Sequence, residues 1–349
     1  MRRLLVYPLS HNTMPLVRYA GMLSDYDEVI PVVEKAGIGL AGRDASHIDG
    51  GSLCGAAISD EFEGGLCSAD TVLLTDEISD MGTCPKLLAM IKNEGKGVIL
   101  CGDFSELGGI EGENVESLSH PGYTAEVKPD GSLSKIRVPV VVVMGQGQQC
   151  NKFDIQLGLR AKLLGLGYNV AQVGTKLYSP LFGFHALPQL PALPLWKKIM
   201  LYNRFFREVV DREDPDVLIV GAPGGIMPIN EWHNELFGET AIAVSKSLSP
   251  DVTVMSTYLF DVDDSFMTDT RNYLKYALGA PLDHLHLSNT RLYIEQDMKT
   301  ISYMRTNYSD ALGGQGKTSA SIFNVFSTEA SDAVYESIVM QLQGNIEVL

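Results

Sequence analysis

This sequence predicts an α/β protein of two doubly wound domains, and three observations carry the prediction. Short β-like runs alternate with helical stretches, the order that builds a parallel sheet covered by helices on both faces. The run Val138-Pro139-Val140-Val141-Val142-Val143-Met144 is continuously apolar, as a strand buried on both sides of such a sheet must be. The length, 349 residues, suits two domains at roughly 100–200 residues each.

In the first part, Arg3–Tyr7 reads as a strand, residues 13–23 as a helix and residues 28–33 as a second strand. The glycine-rich stretch 50–65 reads as a loop. Thr71–Thr75 is a third strand, residues 85–93 form a helix with proline near its first turn, and Gly97–Cys101 is a fourth strand. This pattern predicts a Rossmann-like or flavodoxin-like domain over residues 1–110. From 108 to 135 Gly, Glu, Ser, Pro and Asp dominate, and Pro129-Asp130-Gly131-Ser132 is turn chemistry. Residues 111–136 are therefore expected to be a linker, with room for a small hairpin over 123–135.

The second domain, residues 137–349, opens with the apolar strand. A glycine loop and a helix over 153–164 follow, then strands at 170–173, 217–220, 252–258, 284–287 and 322–326. Helices are expected at 195–210, 265–278 and 328–341.

Composition narrows the functional classes. Apolar residues make up 45% and charged residues 20%, the balance of an ordinary globular protein, and the formal net charge is −16. Such acidity disfavours nucleic acid and anionic lipid surfaces unless a local basic patch intervenes, and the sequence shows none. The longest apolar run is far below the ~20 residues of a membrane helix. Met1-Arg2-Arg3 followed by apolar residues mimics a signal peptide, but the stretch breaks at Ser10-His11-Asn12 and reads better as a first strand. Five cysteines (Cys54, Cys67, Cys84, Cys101, Cys150) form no CxxC pair, so reduced thiols and a cytoplasmic location are expected.

The informative stretch is Gly145-Gln146-Gly147-Gln148-Gln149-Cys150-Asn151-Lys152-Phe153, between a buried strand and a helix. In that context backbone N–H groups and a helix N-terminus form a nest for anionic oxygens, and a lysine reaches terminal phosphates. The plainer reading is a tight strand-to-helix turn. Lys152, seven residues after Gly145, gives a spacing that resembles the variant phosphate-binding loop of dethiobiotin-synthetase-like P-loop proteins. Two positions depart from that pattern. Asn151 stands where those relatives have glycine, although asparagine tolerates left-handed geometry. Phe153 stands where a Ser or Thr hydroxyl would bind Mg²⁺.

Pro215-Asp216-Val217-Leu218-Ile219-Val220-Gly221-Ala222-Pro223-Gly224-Gly225 looks like the second signature strand of the same class. There an acidic residue follows the apolar run, and here that place is Gly221. Both usual protein anchors for Mg²⁺ are absent together, so the domain reads as a degenerate P-loop NTPase. ATP or another nucleotide is the expected cofactor, with Mg²⁺ not held in the usual way. Asp154, Glu231, Asp261 and Asp263 are candidate replacement acids. Gly224 and Gly225 are expected either to contact the ligand or to pack.

Other residues carry two readings each. His284 and His286 share a strand face and pair as metal ligands or as structural histidines. His233 is a catalytic base or a hydrogen-bonded surface residue. Cys150, beside a helix N-terminus, is a reactive thiol or a buried one. The proline-rich stretch 178–194 is a docking or substrate loop, or internal packing. Gly313-Gly314-Gln315-Gly316-Lys317-Thr318 contains a GKT but lacks the preceding strand, and reads as a loop able to close over a ligand.

The whole chain resembles the peptide maturation system protein family of clostridial natural-product gene clusters, whose members accompany radical-SAM maturases of Cys-rich ribosomal peptides. The residues that carry this are Val138 to Gly147, Cys150-Asn151-Lys152-Phe153 and Gly221-Ala222-Pro223-Gly224-Gly225-Ile226-Met227-Pro228. The order of a Rossmann-like half and a P-loop-like half is more remotely similar to a broad family of ATP-binding proteins related to dethiobiotin synthetase. The resemblance implies an accessory protein of peptide maturation that binds a nucleotide, another anion or the peptide without efficient hydrolysis, with the precursor peptide and the maturase as partners. Two alternatives stand beside it: an ATP-dependent ligase-like enzyme with non-standard Mg²⁺ ligands, and a scaffold that only docks the maturase.

Overall fold

The computed structural model describes residues 1–34, 39–107, 112, 114–129, 131–313 and 322–346. The chain divides into two compact units, residues 1–120 with 176–186, and residues 121–175 with 187–349.

The first unit holds a parallel sheet of five strands in the order Glu28–Pro31, Arg3–Tyr7, Thr71–Thr75, Gly97–Cys101, Val115–Leu118. This is the flavodoxin-type order, in which the chain reverses direction between the first strand and Thr71–Thr75. Every residue of Thr71–Thr75 is buried, because helices cover both faces of a parallel sheet. The fifth strand lies inside the stretch expected to be a linker. Its two central residues, Glu116 and Ser117, are exposed, so this edge strand lacks the apolar run that betrays a central one. The helix expected over 13–23 is broken into Met14–Arg18 and a 3₁₀ turn, Ala20–Met22. The stretch 50–65 is not all loop, since the helix Phe62–Ser68 begins within it. Arg18 and Asp49 form a buried two-pronged ion pair, Nε to Oδ2 at 2.9 Å and Nη2 to Oδ1 at 2.7 Å.

In the second unit the strand Val140–Gly145 lies between Val252–Thr257 and Val217–Gly221, all parallel. His284–Leu287 and Ile322–Phe323 continue outward on one side and Val170–Gly174 on the other. Alternation along the central strand builds two cores. Val140, Val142 and Met144 join one with the helices Leu195–Glu213 and Glu239–Leu248, while Val141 and Val143 join the other with Lys152–Gly165 and Thr328–Ile346. An antiparallel hairpin, Thr290–Ile294 with Ile301–Arg305, was not expected from sequence. No named strand falls within 123–135 among the described residues. The helix expected over 265–278 is Asp264–Tyr273 closed by a π turn, Leu274–Leu278. In the stretch 178–194, Tyr178, Leu181, Phe182 and Phe184 are buried, and the Phe182 and Phe184 rings stack at 6.0 Å. That part is internal packing of the first unit.

Candidate functional site

The strand Val140–Gly145 delivers the chain to the loop, and the helix Lys152–Gly165 carries it away. The turn between them needs left-handed backbone at two non-glycine residues, Gln149 (φ 56°) and Asn151 (φ 61°). Asparagine is among the few residues that take this region at low cost, so the departure at Asn151 leaves the turn intact.

Side chains from other strands grip the loop by its carbonyls. Tyr258 Oη donates to Gln148 O at 2.8 Å, Ser256 Oγ donates to Cys150 O, and Lys152 Nζ donates to Gly147 O at 2.9 Å and to Gly224 O. Cys150 Sγ also donates to Gly147 O, at 3.2 Å. In a trans peptide the C=O and the following N–H point in opposite directions. Tethering the carbonyls of 147, 148 and 150 therefore turns the N–H groups of Gln148, Gln149 and Asn151 the other way. Among the described residues, the backbone N–H groups of Gly147, Gln148, Gln149, Cys150, Asn151 and Lys152 donate to no protein acceptor. Six consecutive unused donors at the N-terminus of a 14-residue helix are groups of the kind that can receive an anion.

The grip is itself braced. Ser256 Oγ commits its proton to Cys150 O, so it accepts from His286 Nδ1 at 2.8 Å. That places the imidazole proton on Nδ1. Burial pushes the His286 pKa down to about 3, so the ring stays neutral. Ser288 Oγ donates to Asn151 Oδ1 at 2.6 Å. From the hairpin, Arg305 Nη2 donates to Gln149 Oε1, and Tyr303 packs on Tyr258 with ring centroids 6.0 Å apart. Lys152 is half-buried; desolvation pulls its pKa below the ordinary lysine value, opposed by neighbouring Cys150 and Glu235.

Glycines at the site are dictated by space. A Cβ on Gly147 would lie 2.2 Å from Tyr258 Oη, one on Gly145 2.6 Å from Cys150 Sγ, and one on Gly225 2.5 Å from Gln146 O. Gly224 and Gly225 thus stand against the loop, and Gly225 N–H donates to Glu235 Oε2 at 2.9 Å.

The two Mg²⁺ positions are filled otherwise. Phe153 is buried in the core. At Gly221 the space a side chain would need is taken by the Gln156 carboxamide, whose Nε2 would lie 2.6 Å from an added Cβ. These residues do not fit a magnesium site of the usual P-loop kind. Of the candidate acids, Asp154 is buried, and its Oδ2 accepts from Asn151 Nδ2 at 3.3 Å. Asp263 caps its own helix through Phe266 N–H at 2.8 Å. Glu231 and Asp261 are exposed, and among the described residues neither hydrogen-bonds the loop.

Sequence reasoning missed Glu235, which bonds Gly225, and Tyr258, Ser256 and Arg305, which bond the loop from 106 to 156 residues away along the chain. Of the paired histidines, His286 supports the loop through Ser256, and His284 is buried beside Asp283, with desolvation lowering its pKa. Among the described residues no three His, Cys, Asp or Glu side chains gather as metal ligands. His233 has its Nε2 on Lys299 O at 2.5 Å, and among the described residues it makes no hydrogen bond to the loop. Cys150 is buried inside the turn. Residues 314–318 of the GKT stretch fall outside the described residues.

No family model matches the sequence, and no curated protein matches it. Among solved structures, the chain is similar to a GTPase in apo form from Pyrococcus abyssi, 17% identical over 42% of this chain and 66% of that one, TM-score 0.25. It is also similar to the 54 kDa signal recognition particle protein from Aeropyrum pernix K1 in complex with GDP, 13% identical over 63% and 52%, TM-score 0.29. Both scores are too low to establish a common fold. A DUF1611 family protein from Anabaena variabilis is different in kind: it covers 97% of this chain and 100% of its own at a TM-score of 0.62 and 11% identity. At that identity the two proteins share an α/β fold of parallel sheets along their whole length, and the fold alone.

Proposed function

We propose that the second unit binds a phosphate-bearing ligand, a nucleotide or a comparable polyanion, at Gly145–Lys152 and retains it without efficient hydrolysis. The observation that carries this reading is the run of six uncommitted N–H groups at a helix N-terminus. The amides and the helix dipole bind the anion, Lys152 supplies a positive charge, and Arg305 stands at Gln149 on the loop's outer side. Phe153 stands at one of the two positions from which a P-loop protein holds Mg²⁺, and at the other, Gly221, the Gln156 carboxamide fills the space. The chain therefore lacks the usual protein means of neutralising charge on a phosphate being transferred.

The resemblance to peptide maturation proteins supports a finer reading, in which this binding serves an accessory role beside a radical-SAM maturase and its precursor peptide. Co-purification with the maturase and the peptide, with Lys152→Ala as control, tests that part separately. Calorimetry with ATP, with and without Mg²⁺, tests the binding itself. The reading expects saturable binding that survives removal of the metal, little ADP release, and at least a tenfold loss of affinity in Lys152→Ala, about 1.4 kcal/mol. Affinity unchanged by Lys152→Ala overturns the site. Binding that needs Mg²⁺ and releases ADP at each turnover favours the ligase-like alternative, with other acids replacing the usual Mg²⁺ ligands.

A further inference from the structure

The first unit holds a cavity of about 560 Å³, separate from the glycine loop. It lies where the strand Arg3–Tyr7 ends and the helices Phe62–Ser68 and Cys84–Asn93 begin. Open α/β sheets bind ligands beyond the carboxyl ends of their strands. Three carboxylates, Glu34, Glu61 and Glu63, line the cavity against one cation, Lys86. Glu34 is fixed in place, its Oε1 accepting Ser79 N–H at 2.8 Å and its Oε2 accepting the Ser79 hydroxyl at 2.6 Å. The carboxylates do not converge as metal ligands among the described residues, so a ligand that meets more than one of them is larger than a metal ion. Apolar lining comes from Tyr7, Phe62 and Met90, with the Tyr7 and Phe62 rings edge to face at 4.9 Å. Tyr7 is only 8% exposed, yet its hydroxyl makes no hydrogen bond among the described residues. A nearly buried hydroxyl is seldom left unpaired. Burial, followed by the charge on Glu34, raises the Tyr7 pKa, so the phenol stays protonated with that carboxylate as its neighbour.

We propose that this cavity binds a small organic cation, an ammonium or guanidinium group carried on an apolar arm. The charged head sits between Glu34 and the Tyr7 hydroxyl, whose oxygen accepts one of its N–H groups and so gains the missing partner. A charge-assisted bond to Glu34 supplies the stronger contact. The arm lies along Phe62 and Met90, and Glu61 and Glu63, both exposed, attract the cation from solvent. The excess of carboxylates over Lys86 selects against anions. The inference stands independently of the anion-binding reading of the second unit.

The test is calorimetric titration, at physiological salt, of agmatine and of butyrate into the full chain. Agmatine carries an ammonium and a guanidinium at the two ends of an alkyl arm, and butyrate is an anion on a similar arm. Wild type, Glu34→Gln, Tyr7→Phe and Lys152→Ala are compared. Glu34→Gln removes the charge and keeps an oxygen for Ser79, while Tyr7→Phe removes the hydroxyl and keeps the ring. Agmatine is expected to bind wild type at one saturable site, about tenfold more weakly in Glu34→Gln and about fivefold more weakly in Tyr7→Phe. Lys152→Ala should bind agmatine like wild type, and butyrate should bind none of them. No saturable agmatine binding overturns the proposal. Equal affinity in wild type, Glu34→Gln and Tyr7→Phe overturns it too, because the cation then adheres to the acidic surface at large. Butyrate binding that Lys86→Ala abolishes makes the cavity an anion site and also overturns it. Thermal melts identify any variant that loses binding by misfolding, and Tyr7→Phe decides the matter if Glu34→Gln is such a variant.

Discussion

Replacing Gly147 with alanine probes the nest through one added methyl group. The new Cβ would lie 2.2 Å from Tyr258 Oη and 3.1 Å from its Cζ. Reaching even 3.0 Å requires a 0.8 Å shift, and neither partner yields easily. Tyr258 is buried, its ring packs on Tyr303, and its hydroxyl is bound to Gln148 O. Overpacking of this kind costs about 1–3 kcal/mol, and losing the hydroxyl's hydrogen bond adds about 1 kcal/mol. At roughly 2–4 °C per kcal/mol for a unit of this size, the melting midpoint of the second unit falls by about 5–15 °C. Freed from Tyr258, the peptide after Gln148 no longer aims its N–H, and pyrophosphate affinity drops at least tenfold, about 1.4 kcal/mol. Gly165→Ala is the control, because no atom lies within 4 Å of its added Cβ. Differential scanning calorimetry and isothermal titration on both variants measure the two effects. A Gly147→Ala protein that melts and binds like wild type would refute the tethered-carbonyl argument.

Three further outcomes follow from the same structure. His286 is neutral and buried with a pKa near 3 against an ordinary 6.5, so the unfolded chain takes up its proton first as pH falls. Stability that is complete above about pH 6.5 is therefore lost from there down toward pH 3, amounting to about 2 kcal/mol by pH 5; denaturant melts should show this slope in wild type and not in His286→Gln. Breaking the Arg18–Asp49 pair, whose side chains are 8% and 2% exposed, strands a buried carboxylate. Arg18→Met should lower the stability of the first unit by roughly 3–5 kcal/mol, and an unfolding midpoint within error of wild type would contradict that. Gly221→Asp returns an acid to the end of its strand, but the new side chain meets Gln156 Nε2 and Oε1 at 2.6 and 2.7 Å. The expectation is about 1–3 kcal/mol of destabilisation and no gain of Mg²⁺-dependent ATP affinity, read by thermal melts and calorimetry with and without the metal.

What the sequence revealed follows from burial. Arg3–Tyr7, Thr71–Thr75, Gly97–Cys101 and His284–Leu287 were read to the residue, because central parallel strands appear as short runs closed on both sides. The strand Val115–Leu118 escaped because an edge strand with Glu and Ser at its centre resembles a loop. The hairpin escaped for a related reason: Thr290–Ile294 and Ile301–Arg305 are mostly half-exposed or exposed, and their polar residues mask the alternation. The helix Glu239–Leu248 opens after a left-handed glycine with no side-chain cap, so it carries no start signal. At the site, the glycine loop and Lys152 were legible from spacing between strand and helix. Tyr258, Ser256 and Arg305 were not, because each acts on a backbone or side-chain oxygen far away in sequence and no local pattern records such a pairing. Glu235 was hidden in a turn whose left-handed backbone is imposed by Asn234 and the contact of Gly238 with Ile226.

Amide chemical shifts of Gly147, Gln148, Gln149 and Asn151, followed during a metal-free pyrophosphate titration, address the central claim most directly. Large, saturable downfield movements confined to these amides and to Lys152 are the predicted result. Shifts scattered over the surface, or a loop whose amides stay still while ligand binds elsewhere, would contradict it.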